Sequence, residues 1–522
     1  MSHQESPIPY FKVGAILCAF SALLLAIGLW SGAPVFVPKS GGHGHEEHAD
    51  LSAHSAGEHA DDAEAKAEEG GHGRAESADD QATAAEGEQG HGSFVPCVPW
   101  VLPFIAILLV VAVFPLLPKV SHWWEHNRNR LIVSVILGTP VVVYILIHDP
   151  TRVEHSALEY FQFLSLLGGL FITAGGIHLS GDLRATPAVN SVFMLVGYLL
   201  ASVIGTTGAA MLLIFPLLRT NLERKLKTHS VIFFIFLVSN TGGLLSPIGD
   251  PPLFLGYLRG IDFFWFLKLL PLWIANGIVL FALYYALDLY YYNKEAPADI
   301  AFDDSQVEPL RFIGPVNVIF LLAIVVSVAA SVNTPYREAV MYLCSGLSLI
   351  YAGRSQTALQ ARKRNHFNFH AILEVAAVFA GIFATMMPAL MLLRAKGADL
   401  GVDHPLEFFY ATGIFSSFLD NAPTFLVFLE LGLGVTGLPE AAAMQVGAAA
   451  AILGGISAGA VFMGANTYIG NAPNFMVRSI AEEQGIKMPS FFGYMLWAAV
   501  ILLPVFTVVA VVFFTLLKFP LY

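Results

Sequence analysis

The chain has 522 residues, 56% of them hydrophobic and 13% charged, with a formal net charge of −12 and a mean hydropathy of +0.65. This balance excludes an ordinary soluble globular protein and points to a polytopic membrane protein. The acidity is local, because residues 39–95 hold 14 acidic side chains against Lys39, Lys66 and Arg74, a net of −11 that leaves the rest nearly neutral.

From the N-terminus, Phe11 to Trp30 is long enough to cross a bilayer, which takes roughly 20 apolar residues. A signal peptide would carry a more basic start than Lys12 alone and a small-x-small cleavage site. Residues 1–37 are therefore read as a retained first transmembrane helix. Residues 38–95 are Gly, Ala, Glu, Asp and His with almost no large apolar side chains, so they cannot bury enough surface to offset the entropy of ordering. They are expected to form a disordered extracytoplasmic linker. Its histidines, His43, His45 and His48 foremost, suit weak metal binding among carboxylates, or simply decorate a solvated acidic tether. Cys18, Cys97 and Cys344 have no metal-like or redox spacing and read as small hydrophobes.

Further spans are predicted at 97–118, 131–147, 160–179, 263–290, 313–332, 338–353, 371–393, 441–466 and 491–518. They group into N-terminal helices (96–159), a first repeat (160–292), a cytoplasmic loop with linking helices (293–370) and a second repeat (371–522). Lys119, Arg128 and Arg130, then Arg219, Arg224, Lys225 and Lys227, then Arg354, Arg362, Lys363 and Arg364 form three basic clusters. They share the cytoplasmic side if 188–220 enters and leaves from that same face. That segment reads as a helical hairpin with Gly205-Thr206-Thr207-Gly208 at its tip. Residues 405–433 are its counterpart, with Leu419-Asp420-Asn421-Ala422-Pro423 at the tip and an offset of 214.

Two interruptions organise the whole pattern. Ser239-Asn240-Thr241-Gly242-Gly243-Leu244-Leu245-Ser246-Pro247-Ile248-Gly249-Asp250-Pro251-Pro252 breaks one apolar segment (229–258). Gly464-Ala465-Asn466-Thr467-Tyr468-Ile469-Gly470-Asn471-Ala472-Pro473-Asn474 breaks another (441–474), at an offset of 221. Irregular backbone at bilayer depth survives only inside protein or along a watery cavity. Paired Gly/Pro-interrupted segments in corresponding halves are the best sequence pointer to a transporter's binding site. The expected fold class is an all-α polytopic membrane protein of two inverted repeats, each with a re-entrant helical hairpin and a broken transmembrane helix.

Asp250 and Asp420 are carboxylates in segments expected at mid-membrane, where acids are costly and usually mark an ion or proton path. The oxygens of Thr206, Thr207, Asn240, Thr241, Ser246, Asn421, Thr424, Asn466 and Asn471 suit a hard cation such as sodium. The bland alternative is that Asp250 caps the helix starting at Pro251-Pro252. Asp420 is less suited to capping, since Asn421 offers an alternative. His178 and Asp182, expected to end the 160–179 span, are candidates for a proton relay or a plain polar helix end. Glu374 reads as a solvated helix end. Gly455-Ile456-Ser457-Ala458-Gly459 matches the serine-hydrolase pattern, but it lies in an apolar helix where small residues permit close packing. No phosphate-binding loop or zinc-protease motif is present, so neither an enzyme nor an ATP-driven pump is expected.

Asn240-Thr241-Gly242-Gly243 through Pro252, Asn471-Ala472-Pro473-Asn474, and the two hairpin tips resemble the ion transporter superfamily over about residues 160–518. That superfamily includes di- and tricarboxylate carriers and NhaD-type sodium/proton antiporters. Dicarboxylate carriers read Ser-Asn-Thr at the tips, whereas Asp420-Asn421-Ala422-Pro423 is similar to the NhaD-type pattern. The resemblance implies a sodium/proton antiporter of the elevator type in a bacterial inner membrane, with Asp420 as the shared carboxylate and Asp250 second. A sodium- or proton-coupled citrate or dicarboxylate carrier is the alternative. The implied partners are an inorganic cation and protons (or a small organic anion), the lipid bilayer and a second copy in a homodimer. Sodium is the transported ligand, and no cofactor or nucleic acid is expected.

Overall fold

The computed structural model of the chain describes residues 10–36 and 94–519. The expected linker, with His43, His45 and His48, lies outside the described residues except for its last two positions.

In chain order, α1 (Tyr10–Ser31) is followed by α2 (Leu102–Val113), the short α3 (Pro118–Trp124), α4 (Asn127–His148) and α5 (Pro150–Ala174). Strand β1 (His178–Asp182) leads into the pair α6 (Pro187–Ile204) and α7 (Thr206–Thr220), the interrupted α8 (Thr228–Leu237) and α9 (Pro251–Leu258), and α10 (Leu270–Tyr292). Next come α11 (Pro297–Ser305), β2 (Glu308–Ile313), α12 (Val316–Ala329), α13 (Tyr336–Arg354) and α14 (Gln356–Arg364). The last stretch holds α15 (His370–Lys396), the pair α16 (Pro405–Phe418) and α17 (Asn421–Thr436), the interrupted α18 (Gly447–Met463) and α19 (Ala472–Glu483), and α20 (Phe491–Ala510). Ten segments among the described residues are long and apolar enough to cross a membrane. The chain is a helical, multi-pass membrane protein.

Helix starts follow local chemistry. Asp149 accepts from the Arg152 amide at 3.3 Å, with Pro150 filling the first helical position of α5. Thr186 does the same for the Val189 amide ahead of Pro187 in α6. In both, a side-chain oxygen takes an amide that has no partner inside the helix.

Burial separates centre from periphery. The segment Thr228–Leu245 is 94% buried and the apolar window of Gly447–Asn466 is 83% buried, whereas that of Val98–Leu116 is only 11% buried. A helix apolar all round belongs in the middle of the protein, and the two interrupted segments occupy that place. Around them, long helices pack through small residues that let backbones approach. Ser21 of α1 donates to the Ala339 carbonyl of α13 at 2.7 Å, and a Cβ on Gly14 would come within 2.6 Å of the Gly346 carbonyl. In the same way Ser134 of α4 donates to the Ala377 carbonyl of α15 at 2.7 Å. The Gly455/Gly459 pair has this packing role too: a Cβ at either would lie 2.4 Å from a carbonyl of α16, that of Pro405 or Phe409.

α6 and α7 fold back on one another. Gly205, with φ +83°, turns the chain where a side chain would be strained, and the far ends are tied by reciprocal amide bonds between Asn190 and Asn221 (2.9 and 2.8 Å). α16 and α17 fold back likewise, with Phe415 and Phe428 in contact across the pair.

One element departs from the sequence expectation. The helix expected to run to residue 179 stops at Ala174, and His178–Asp182 is a strand paired antiparallel with Glu308–Ile313. The reason lies in Gly175-Gly176: a Cβ on Gly176 would strike the Asn317 side chain, whose amide donates to the Gly176 carbonyl at 2.9 Å. His178 and Asp182 are thus neither a helix end nor a joined pair. The expected solvated Glu374 is ion-paired with Arg130 at 2.8 Å.

Candidate functional site

At the first break the side chains replace what the helix loses. Asn240 Nδ2 donates to the Ile235 carbonyl at 2.8 Å and Thr241 Oγ1 to the Phe236 carbonyl at 2.9 Å, so acceptors orphaned by the unwinding stay satisfied. Gly243 and Gly249 cross so closely that a Cβ on Gly249 would lie 2.1 Å from the Gly243 carbonyl. The Gly249 carbonyl in turn receives the Thr206 amide at 2.8 Å, which seats the α6/α7 tip on the break.

The second break repeats part of this architecture: a Cβ on Gly470 would lie 2.5 Å from the Gly464 carbonyl, just as one on Gly249 would approach that of Gly243. Asp250 (φ −142°, ψ 142°) and Asn471 (φ −146°, ψ 140°) share one backbone conformation at the offset of 221. Ser246 Oγ accepts from the Gly249 amide at 3.2 Å and donates to the Ser202 carbonyl; Thr467 Oγ1 accepts from the Gly470 amide at 3.0 Å and donates to the Ser417 carbonyl at 2.5 Å. Ser202 Oγ donates to the Gly242 carbonyl at 2.5 Å, and Ser417 Oγ to the Met463 carbonyl at 3.0 Å. Ser202 and Ser417 are 215 apart, as are Thr206 and Asn421, the first residues of α7 and α17. The tips therefore correspond one residue later than the motif alignment at 214 suggests.

All four segments meet at Asp250. It is fully buried, and its carboxylate accepts from Thr206 Oγ1 at 2.9 Å, Asn471 Nδ2 at 3.1 Å and Asn421 Nδ2 at 2.8 Å. Asn471 Nδ2 also lies 3.2 Å from Asn240 Oδ1, and Asn240 Nδ2 donates to Asn474 Oδ1 at 2.7 Å. Asn421 Oδ1 faces Ser416 Oγ at 2.5 Å, which directs its amide nitrogen to Asp250. Each donor to this carboxylate is neutral. A buried carboxylate with only neutral protein partners is expensive.

The capping expectation fits neither acid. Asp250 sits at the N-cap of α9 but makes no capping bond with its side chain. Asp420 does cap α17, accepting from the Ala422 amide at 3.1 Å, and leaves the inward position to Asn421. The one-residue shift between tips is the physical cause, because it aligns Asp420 with Gly205 rather than with Thr206. Among the other expected residues, Thr424 Oγ1 donates to the Asp420 carbonyl at 3.0 Å. Asn466 Nδ2 donates to Ser417 Oγ at 2.9 Å, while its Oδ1 and the buried Ser239 Oγ have no partner among the described residues. Thr207, next to Thr206, makes no side-chain hydrogen bond within the cluster.

His178 and Asp182 are not part of this cluster. His178 Nδ1 is 2.7 Å from Asn365 Oδ1, and burial together with Arg364 and Arg219 lowers its pKa. Burial, then Glu223, pushes the Asp182 pKa up to about 6. Among the described residues no group of three His, Cys, Asp or Glu is placed to hold a metal ion.

Sequence reasoning missed Ser202, Ser416, Ser417 and Asn474. The serines lie inside apolar helices, where a lone hydroxyl carries no signal. Asn474, which closes the second motif, could have been found as the polar third residue of a helix, flanked by Pro473 and Phe475. A further buried centre was also missed: Asp288 of α10, at 2.7 Å from Arg224, 2.8 Å from His229 and 3.1 Å from Asn190, ties the open end of the α6/α7 pair.

A family model described as "Putative citrate transport" matches residues 94–514. The chain belongs to this citrate-transport family. The match takes in both breaks and both helix pairs, whereas α1 precedes it. A search of curated proteins finds no match.

Proposed function

We propose that the chain is a secondary carrier of citrate or a related carboxylate, coupled to sodium or protons, working by alternating access in a bacterial inner membrane. The observation that carries this reading is Asp250, fully buried and held by neutral donors from two helix tips and the opposite break. A polyanion brought beside this carboxylate needs a cation between them, so coupling to a cation follows from the site's own charge. Asp250 takes the cation or proton. Asn421, Thr206, Asn471 and Asn240 orient it, with the unpartnered oxygens of Asn466 and Ser239 within the same broken segments.

On this reading the two sets of elements, α5 to α10 and α15 to α20, are inverted repeats. The pairs α6/α7 and α16/α17 are re-entrant hairpins, and they move with the broken helices against the remaining helices as an elevator. The tight α1/α13 and α4/α15 contacts suit a fixed frame of that kind, which in a homodimer would carry the interface. Sodium/proton exchange without any organic anion is the second reading. It is favoured by the absence of lysine and arginine from the donors to Asp250, since a bare carboxylate among neutral oxygens suits a small cation.

Transport in proteoliposomes tests both. Labelled citrate uptake driven by a sodium or proton gradient, and abolished in Asp250→Asn, is the expected result. A sodium-induced pH change with no citrate uptake would replace the first reading by the second. Asp420→Asn is expected to reduce transport less than Asp250→Asn, because Asp420 caps its helix and Asp250 faces the cluster.

A further inference from the structure

A second site lies at the other ends of the helices that build the first. A cavity of about 620 Å³ opens where β1, the end of α7, the residues after α14 and those after α19 meet. Small-molecule sites span roughly 300–1,000 Å³, so its size suits a compact solute or a lipid headgroup. Arg219, Lys227, Arg364, His178 and His366 line it, and no carboxylate does.

The basic groups are held in place by bonds that leave capacity for a ligand. Lys227 Nζ donates to the Asn221 and Leu222 carbonyls at 2.8 and 2.7 Å, which satisfies two of its three protons. Arg219 is partly neutralised at the rim by Glu308 at 2.9 Å and Asp182 at 4.0 Å, and Glu223 and Glu295 act on Lys227 from outside the lining. Arg364 is exposed and has no ion-pair partner among the described residues. His178 is 8% exposed and donates through Nδ1 to Asn365 Oδ1, so its Nε2 donates to a ligand only when the ring is protonated. His366 keeps a positive φ of 50° while its ring stacks on Phe215 at 5.6 Å. Such a conformation costs energy in a non-glycine residue and is common at binding sites. That Arg219 and Arg364 both act against a charge on His178 agrees with like charges facing one another. A cleft lined by one sign of charge concentrates the opposite sign.

We infer that this cavity binds an oxyanion of the carboxylate or phosphate class, supplied either as a free solute or as a lipid headgroup. The site is distinct from the Asp250 cluster. α7 runs from Thr206 in the cluster to Arg219 in the cavity, about 20 Å at 1.5 Å per residue. α19 likewise runs from Asn471 to Gln484.

The test uses the purified full chain as wild type, Arg364→Glu and Asp250→Asn. Binding of citrate, inorganic phosphate and pyrophosphate is measured in detergent by calorimetry. Melting is compared in nanodiscs of phosphatidylcholine with and without phosphatidylglycerol. Saturable binding of a free anion, weakened at least tenfold in Arg364→Glu and unchanged in Asp250→Asn, supports the solute form. Stabilisation by phosphatidylglycerol that Arg364→Glu loses, without binding of free anions, supports the headgroup form. Because Arg364 is exposed and unpaired, the variant should melt as the wild type does in phosphatidylcholine alone. Should it fold but leave both free-anion and lipid responses unchanged, or should anion binding vanish only in Asp250→Asn, the inference is overturned. His366→Asn, which keeps a residue tolerant of positive φ, should weaken the same response and checks the result independently.

Discussion

Replacing Asp250 by asparagine separates what this residue does for function from what it does for the fold. The carboxylate accepts three hydrogen bonds, two at Oδ1 and one at Oδ2. An asparagine can keep the first two with its carbonyl oxygen, but its amide then meets Asn421 Nδ2, donor against donor. One hydrogen bond to a charged group, worth about 1.5–3 kcal/mol, is lost, unless Asn421 turns over and gives up Ser416 instead. Against that loss stands the relief of a buried charge whose protein partners are all neutral, an effective penalty of several kcal/mol. The two effects nearly cancel or favour the variant, so the melting temperature in detergent should hold or rise by roughly a few degrees. Transport should fall at least a hundredfold, since the charge that attracts the cation is gone. The assay is gradient-driven uptake into proteoliposomes, paired with thermal unfolding of the same preparations. A variant that transports at the wild-type rate would refute the reasoning, and so would one that melts far below the wild type, because the carboxylate would then be a structural fixture.

Two other predictions address the surroundings. Arg259, just after α9, donates twice to Glu159 of α5 (3.0 and 3.1 Å) and once to Glu430 of α17 at 2.6 Å. Arg259→Met should destabilise by about 3 kcal/mol, the low end for breaking a buried pair because these side chains keep some exposure; a double-mutant cycle with Glu159→Gln should be non-additive by at least about 1 kcal/mol, and simple additivity would rule the coupling out. Asp182, with a pKa of about 6 raised chiefly by burial, is harder to ionise in the folded protein than in the unfolded chain, where a carboxyl titrates near 4. Its stability penalty is absent below about pH 4, grows through about pH 6 and is complete above, so Asp182→Asn should gain in melting temperature relative to wild type between pH 4.5 and 7.5; a difference that stays flat across this range would contradict the assignment.

The architecture was legible because a membrane leaves few choices. Apolar length gave the spans, and glycines, prolines and asparagines inside such lengths gave the two breaks, since a bilayer forbids unpaired backbone except where protein or water receives it. Thr206, Asn421, Asn471, Asn240 and Asp250 were all named from sequence, and the structure joins them by hydrogen bonds. The resemblance ranks Asp420 above Asp250, but the residues themselves do not separate the two. Both acids stand one residue before a helix with a proline in its first turn, so motif spelling treats them alike. The outcome depends on one residue of register at the α16/α17 tip: there the acid falls at the cap and the following asparagine points inward, while at the first break the acid itself points inward. The end of α5 was misread for a similar reason. Gly175-Gly176 alone does not end a helix; the approach of Asn317, 141 residues away, makes the glycines a stop and turns the following residues into a strand. Spans are read from local properties of the chain. Which of two similar acids faces the site depends on contacts between segments 171 to 221 residues apart, and there the structure adds what composition and spacing leave open.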